Sequence, residues 1–203
     1  PVRPEFVPDP ALSREAMEQL QREIAAAATF EDDLSFDPAI LGDGQEPTDE
    51  PPLVAGVDQA FVDDLAVSAI VLLQGGEVVE RVHAAVETEI PYIPGLLSFR
   101  EGGAILAAFD KLAREPDVAM FDGSGRIHYR EAGLATHVGV TLDVPAIGVA
   151  KRLLCGSVEG SLDEKWPAGT RVAITADDSV ETAPSGTTIG YAVQTRQFAS
   201  SGR

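Results

Sequence analysis

The chain has 203 residues, of which 44% are apolar, and this length and composition suit one α/β domain with a sizeable core. Its apolar runs, such as residues 65–73, are too short to span a bilayer, no basic-then-apolar leader opens it, and its single cysteine, Cys155, excludes an internal disulfide. The net charge of −18 argues against a protein that grips phosphates, unless the acidity is an adaptation to a salty cytosol.

The basic residues favour the second explanation of the acidity. Three of the 15 are lysine and twelve are arginine, and a strongly acidic, lysine-poor surface is typical of proteins that stay soluble in concentrated salt. Molar salt shortens the Debye length to about 3 Å, so that long-range repulsion of a phosphate backbone becomes weak. We therefore interpret the chain as a halophilic, cytoplasmic protein, and we expect a monomer without a membrane partner.

The first predicted element is a helix over residues 13–29. Ser13 suits the N-cap, and apolar residues follow it at helical spacing. Residues 31–52 are rich in Asp, Glu, Pro and Gly, which predicts a solvated linker. The predicted organisation is an N-terminal helix over 1–30, an acidic linker over 31–52 and a domain over 53–203.

From residue 53 the pattern changes to strands. Apolar, β-branched segments over 53–61, 65–74 and 77–86 are separated by a turn at Asp63-Asp64 and by the hairpin signal Gly75-Gly76. Three strands joined by such tight turns predict an antiparallel meander.

Helices and short strands alternate in the remainder of the chain. Helices are predicted over 100–114 and 130–142, and strands over 117–121, 145–150, 172–175 and 188–193. The order β-β-β-α-β-α-β predicts an α/β fold with a mixed sheet and flanking helices, in the ribonuclease-H-like arrangement. A fold of this kind does not by itself assign a chemistry.

Three acidic residues lie at or near the ends of elements that this topology brings together. Asp58 lies in the apolar run of the first strand, Glu101 opens the first helix after the meander, and Asp122 directly follows the first parallel strand. Taken singly, each also suits an ordinary turn or helix terminus. Together they offer oxygen ligands, which suit Mg²⁺ or Mn²⁺ rather than zinc. A cation held there can activate water and offset charge on a phosphoryl transition state.

Basic residues follow the same strand ends. His128 and Arg130 come soon after Asp122, and Lys151 ends the next parallel strand. A solvated loop histidine and a snorkelling lysine are the alternative interpretations. Residues 120–160 carry four acidic and four basic residues in a chain of net charge −18, so an anionic ligand can approach this region.

Prolines flank two apolar side chains in the segment 91–95. They fix the backbone so that Tyr92 and Ile93 project, and a stiff apolar wedge of this kind can enter a base stack and help to extrude a nucleotide. A packed connector between strand and helix is the alternative interpretation.

Several strings resemble the endonuclease V family, over about residues 53–156. They are GVD (56–58), PYIPGLLSFRE (91–101), DGSGRIHYR (122–130), GLATHVG (133–139), DVPAIGVAK (143–151) and LCG (154–156). The string that ends at Glu101 is highly specific, and the strings occur in the order that the family shows.

The resemblance implies a nuclease that hydrolyses the second phosphodiester 3′ to a deaminated adenine (hypoxanthine), leaving 3′-hydroxyl and 5′-phosphate ends. Asp58, Glu101 and Asp122 match the carboxylates that hold the catalytic Mg²⁺, for which Mn²⁺ is an expected substitute. His128 and Lys151 match basic residues around the scissile phosphate. The expected partner is inosine-containing DNA, and some members of the family prefer inosine in RNA.

The resemblance also implies a strand-separating wedge and a base pocket. Tyr92, with Ile93 and Pro94, matches the wedge, and we call residues 91–95 the wedge loop. The other predicted substrate-binding residues are Leu97, Gly123, Arg130, Gly133, Leu134, Gly148 and Ala150. A tight, backbone-lined pocket can exclude the guanine amino group, and a backbone N–H donor can reject adenine.

The sequence departs from the family pattern at two places. Tyr129 stands where the family usually has proline, which predicts a looser loop. The chain stops at Arg203, where family members usually continue with a strand-like stretch, a helix and a further histidine, so we expect the C-terminal end to be missing. The alternative hypotheses are a non-catalytic binder of deaminated nucleic acid, an inosine-specific endoribonuclease and a different ribonuclease-H-like nuclease.

Overall fold

A computed structural model of the protein describes residues 2–32, 34–41, 50–88, 90–161 and 166–195. The predicted linker over 31–52 lies partly outside these ranges, and its described part contains a short 3-10 turn over Pro38–Leu41. No helix within the described ranges combines the length and the apolar character that crossing a bilayer requires.

Three long strands form one side of the main sheet. They are β1 (Leu53–Val62), β2 (Leu65–Gln74) and β3 (Glu77–Glu87), and each pairs antiparallel with the next. The β1–β2 turn places Asp63 at φ +53°, and the β2–β3 turn contains two glycines with positive φ, which is the backbone that tight hairpins require. The predicted meander is confirmed, with boundaries within one residue.

Two short strands extend the sheet in the parallel sense. β4 (Val118–Asp122) pairs with β1, and β5 (Ala146–Val149) pairs with β4, which gives the strand order β3-β2-β1-β4-β5. The predicted mixed, ribonuclease-H-like sheet is confirmed. Because β1 and β4 are parallel neighbours, their carboxyl ends lie at the same edge of the sheet.

Three helices accompany this sheet. They are α1 (Arg14–Ala27), α2 (Leu97–Phe109) and α3 (Leu134–Leu142). Ser13 caps α1 as predicted, since its Oγ accepts a hydrogen bond from the Ala16 N–H at 3.2 Å.

Both boundaries predicted for α2 and the predicted start of α3 were wrong, whereas the predicted end of α3 at residue 142 is confirmed. α2 begins three residues earlier than residue 100, and its predicted last turn is a tighter turn in which the Lys111 and Leu112 N–H groups bond three residues back. α3 begins four residues later than residue 130, because Glu131 has φ +48° and Gly133 is extended. Asp143, at φ +58°, ends α3.

The main core lies between the sheet and the helices α2 and α3. Phe121 from β4, Ile105 from α2 and Val138 from α3 are almost fully buried in it. Burial of a side chain of this size contributes about 1.5–3 kcal/mol. The opposite face of β4 and β5 carries Met120 and Ile147, which are half-exposed.

A second, smaller sheet packs beside the first. It contains β6 (Ser157–Val158), β7 (Arg171–Thr175) and β8 (Thr188–Val193), all antiparallel. Two of its strands were predicted, without a second sheet to hold them, and β6 was not predicted. Tyr129, from the segment between β4 and α3, packs against the apolar core of this second sheet.

Candidate active site

A cavity of about 460 Å³ opens beside the carboxyl ends of β4 and β5. This volume lies within the range that small-molecule pockets occupy. Eleven of the predicted site residues line it: Tyr92, Ile93, Pro94, Leu97, Asp122, Gly123, His128, Gly133, Leu134, Ala150 and Lys151. The fold therefore gathers the wedge loop, the segment after β4 and the segment after β5 around one space. Asp58, Glu101, Arg130 and Gly148 lie outside its lining.

Asp58 and Asp122 occupy matching positions on neighbouring parallel strands. Val57 pairs with Phe121 across β1 and β4, and each aspartate is the next residue along its strand. Parallel strands are spaced by about 4.8 Å, so the backbones carry these two carboxylates side by side. Both aspartates alternate with buried neighbours and are solvent-accessible.

Glu101 brings a third carboxyl group to the same edge from the first turns of α2. It is 6% exposed, and burial raises the pKa of its carboxyl to about 7. The Arg100 guanidinium opposes this rise in pKa, whereas the charges of Asp122 and Asp58 add to it. The three predicted acids therefore lie within electrostatic reach of one another, and their negative charge is only partly compensated.

The acids do not form a closed coordination shell as the side chains stand. Among the described residues, no group of three or more acidic, histidine or cysteine side chains is arranged closely enough to hold a metal ion. The Lys151 Nζ instead lies 3.1 Å from Asp122 Oδ2, and an Asp58 oxygen accepts the Gln59 backbone N–H at 2.8 Å. The donor set still fits a hard cation, because it consists of carboxylate oxygens, which Mg²⁺ and Mn²⁺ prefer as ligands.

His128 lies at the edge of the cavity with both ring nitrogens engaged. Its Nδ1 accepts the Arg130 backbone N–H at 3.2 Å, and its Nε2 lies 3.0 Å from the Gly95 carbonyl oxygen. Since a carbonyl only accepts, Nε2 must carry the proton. Burial lowers the pKa of this imidazole to about 4, so the ring is neutral at pH 7.

Arg130 is buried beside the cavity and pairs with two glutamates. Its guanidinium Nη2 is 3.2 Å from a carboxylate oxygen of Glu18 and 3.2 Å from one of Glu181. Its side chain is 8% exposed. This placement joins α1 to the segment between β7 and β8, and the structure gives the guanidinium protein partners rather than a position on the cavity wall.

The glycines build the cavity from backbone. A Cβ on Gly148 would overlap the Gly125 nitrogen, and a Cβ on Gly133 would overlap Ser124. A Cβ on Gly123 would lie 2.9 Å from Leu134. These residues let the segment after β4 pack tightly against β5 and the start of α3. Gly148 therefore supports the cavity wall from behind and lines a neighbouring groove.

Tyr129 has a packing role that the sequence interpretation did not anticipate. Its ring lies against Gly95, where an added Cβ would be 2.9 Å from Tyr129 Cδ2 and where φ is +83°. The other side of the ring packs on the core of the second sheet. The tyrosine thus ties the wedge loop to the second sheet.

Four polar residues of the cavity lining were missed, namely Gln21, Ser98, Ser124 and Arg152. Ser98 lines the cavity and bonds to His137 Nδ1 at 2.8 Å, and Gln21 reaches the cavity from α1. A signal for Gln21 was present, because it lies four residues after Met17 and three before Ile24, on the buried stripe of the helix. A polar residue on such a stripe requires a partner.

Known proteins resemble this chain in sequence. The family model for endonuclease V matches residues 41–201. The chain belongs to the endonuclease V family. Over its full length it is 67% identical to the endonuclease V of Haloarcula marismortui, of which it covers 80%. It is 60% identical to that of Natronomonas pharaonis, with 98% of this chain and 77% of the relative covered. These haloarchaeal sources support the halophile prediction.

Solved endonuclease V structures share the fold. The Bacillus subtilis enzyme is 29% identical with a TM-score of 0.74, and the match covers 94% of this chain and 75% of that one. A variant of Ciona intestinalis endonuclease V, in complex with a 23mer DNA that contains an inosine followed by a ribo-adenosine, is 27% identical with a TM-score of 0.56. That match covers 71% of this chain and 61% of the other. The predicted ribonuclease-H-like fold and family are thereby confirmed.

Proposed function

We propose that this endonuclease V hydrolyses the second phosphodiester 3′ to deoxyinosine in DNA, leaving 3′-hydroxyl and 5′-phosphate ends, with Mg²⁺ as cofactor and Mn²⁺ as a substitute. The observation that carries the proposal is the meeting of three features at one edge of the sheet. These are two aspartates on neighbouring strands whose charges act on the Glu101 carboxyl, a backbone-lined cavity and a projecting wedge loop. The inosine-containing DNA bound to the Ciona relative supports the choice of substrate.

The cavity suits an everted purine. Its walls include Gly123 and Gly133, where backbone can come close to the edge of a base, and Leu97 and Leu134, which offer apolar contact. A wall of this kind rejects an extra exocyclic amino group sterically. Tyr92 is 65% exposed at the mouth, as a side chain that enters the duplex must be.

Asp58, Asp122 and Glu101 are the residues that would hold the divalent cation. When bound, the cation supplies an activated water and charge stabilisation for the phosphoryl group. The Lys151 side chain is 86% exposed, and an exposed pair of this kind contributes at most about 1 kcal/mol. Its ammonium can therefore leave Asp122 for a phosphate oxygen with little loss of stability.

The test is the nicking of matched oligonucleotides, with inosine or adenosine at one position, in molar KCl with Mg²⁺. Asp122→Ala should lower inosine-dependent nicking about a hundredfold or more, the scale of losing one electrostatic stabiliser, while binding stays measurable. Asp110→Ala is the matched control, because it removes an exposed aspartate at the C-terminal end of α2, whereas Glu101 lies near the N-terminal end of that helix. Undiminished nicking by Asp122→Ala would reject the assignment.

The same assay separates the alternatives. A non-catalytic binder would retain inosine-containing DNA without nicking it under any divalent metal. Equal cleavage with inosine and adenosine would indicate a different ribonuclease-H-like nuclease. Matched RNA strands test for an inosine-specific endoribonuclease. The ribo-adenosine that follows the inosine in the Ciona complex makes this comparison relevant.

A further inference from the structure

The last carbonyl of the wedge loop accepts two buried hydrogen bonds. Gln21 Nε2 donates to the Gly95 oxygen at 2.7 Å, and His128 Nε2 donates to it at 3.0 Å. Gly95 has φ +83°, a backbone conformation that glycine adopts readily and that ends the proline-bounded loop. The position of this carbonyl is therefore set by one residue of α1 and one residue of the segment after β4.

The two donors belong to a closed ring of hydrogen bonds. Gln21 Oε1 accepts from Arg130 Nη1 at 3.1 Å, and the Arg130 backbone N–H donates to His128 Nδ1 at 3.2 Å. The ring thus runs from Gln21 to Gly95, His128, Arg130 and back to Gln21. Each polar atom has one chemically allowed role, which fixes the orientation of the Gln21 amide and the Nε2–H tautomer of His128.

Packing of α1 alone does not require a glutamine at position 21. Gln21 is 1% exposed and lies on the same stripe as Met17 and Ile24, so an apolar side chain would satisfy the packing at lower desolvation cost. An apolar residue would, however, leave the Gly95 carbonyl with one donor and an Arg130 N–H without its acceptor. The Gln21 amide is therefore required as a donor to the Gly95 carbonyl and as an acceptor for Arg130.

The wedge loop is constrained relative to Gly95 by its own backbone. The Leu96 N–H donates to the Ile93 carbonyl at 3.0 Å, which closes a tight turn over the loop. Prolines at 91 and 94 remove further backbone freedom. A displacement of the Gly95 carbonyl is therefore transmitted to Tyr92 and Ile93, which line the mouth of the cavity.

We propose that Gln21 is a positioning residue, which holds Gly95, and through it Tyr92 and Ile93, where these side chains can part the two strands beside the lesion. This inference rests on the proposed function, in which residues 91–95 act as the wedge. A displacement of about 1 Å in a positioned group can cost about a hundredfold in rate. The cost should fall on a duplex, which must be opened, and much less on a substrate that is already open.

The test compares Gln21→Met with the parent protein on two substrates, an inosine in a matched duplex and the same inosine in an unpaired bubble. Methionine matches the length of glutamine but donates no hydrogen bond. We expect kcat on the duplex to fall about tenfold or more and cleavage of the bubble to fall less than about threefold, with KM changing little, because phosphate contacts are kept. Gln19→Met is the matched control, since Gln19 is exposed on the same helix and bonds only to Glu23 among the described residues.

Tyr92→Ala, assayed in parallel, distinguishes a failure of the Gln21 inference from a failure of the wedge hypothesis. If it lowers duplex cleavage selectively and Gln21→Met does not, the role of Gln21 is overturned and the wedge stands. If Tyr92→Ala lowers cleavage of both substrates equally, the wedge and the inference fail together. Parent protein that does not distinguish inosine from adenosine would overturn the proposed function and, with it, the inference.

A second measurement keeps the inference testable if Gln21→Met does not fold. Gln21→Asn retains an amide in the helix but is one methylene too short to maintain the contact to Gly95. In whichever variant folds, amide hydrogen exchange should accelerate at Tyr92, Ile93, Gly95 and Leu96 and stay slow in the core of α2. Unchanged exchange in the loop would contradict the positioning role.

Discussion

His137 carries a pH dependence of stability whose size follows from its surroundings. The ring is fully buried, its Nε2 donates to the Phe6 carbonyl at 2.8 Å, and its Nδ1 accepts from Ser98 Oγ at 2.8 Å. Burial lowers the pKa of this imidazole to about 4. The folded protein thus keeps His137 neutral in a pH range where the unfolded chain protonates it.

The direction and size of the effect follow from linkage. The folded pKa lies below the unfolded value of 6.5, so the stabilisation is complete above pH 6.5 and is lost as the pH falls toward 4. The full loss is about 3.4 kcal/mol, and about 2.4 kcal/mol of it falls between pH 7 and pH 4.5. His128, with a pKa also lowered to about 4, adds a contribution of the same sign.

Urea unfolding in molar KCl at pH 7 and pH 4.5 measures this contribution. His137→Gln keeps a donor for the Phe6 carbonyl but does not titrate, so its unfolding free energy should fall about 2.4 kcal/mol less than that of the parent protein over this interval. The titration of the acidic surface is common to both proteins and cancels in the comparison. His83→Gln, which changes an exposed histidine on β3, should fall as much as the parent. Parallel pH dependences of parent and His137→Gln would refute the reasoning.

Three further substitutions test the site. Gly148→Ala should lower the unfolding free energy by about 1–3 kcal/mol and abolish nicking, because its Cβ overlaps Gly125, and denaturant unfolding with the nicking assay measures both. Lys151→Ala should lower the nicking rate but change the unfolding free energy by less than about 1 kcal/mol, since its pair with Asp122 is exposed. Glu101→Gln should abolish metal-dependent nicking and stabilise the metal-free protein at pH 8 by up to about 3 kcal/mol. The carboxyl pKa is raised from 4.5 to about 7, so the folded state loses stability as the pH rises through this interval, and unfolding at pH 5 and pH 8 measures the difference.

The antiparallel meander was predictable because each hairpin carries its own turn signal, whereas the helix boundaries depended on distant contacts. α2 begins at Leu97 without a side-chain cap, so no capping residue marked its start. The predicted first turn of α3 is instead a loop, in which Arg130 is held by two glutamates and Glu131 bonds to Arg126 at 2.8 Å. These partners lie outside the segment, and its helical periodicity cannot reveal them.

The second sheet shows that a strand can be predicted from the sequence when its pairing partner cannot. The strand over 188–193 was predicted with the boundaries that β8 has, because alternation of side chains reports a strand. Alternation does not report which strand is its neighbour. Here that neighbour is decided by a separate apolar core, in which Ile174 and Ile189 meet Tyr129. Tyr129, which departs from the family pattern, thus packs against residues distant in sequence, and no local sequence pattern predicts this contact.

In the candidate site, residues in contiguous motifs could be predicted from the sequence, whereas contacts between residues distant in sequence could not. The resemblance predicted eleven of the residues that line the cavity, since these lie within contiguous strings, but it did not predict Gln21, which α1 contributes. It predicted His128 only as a basic residue near phosphate, whereas the structure holds this imidazole neutral in a ring with Gln21. The nearby exposed cations are then Lys151 and Arg152, in a protein of net charge −18. In molar salt, with a Debye length of about 3 Å, attraction at a distance contributes little to DNA binding. We therefore expect the free energy of recognition to come from contacts that salt does not screen. The proposed insertion of the wedge loop and burial of an extruded base are contacts of this kind, and they require the wedge loop to be held in place.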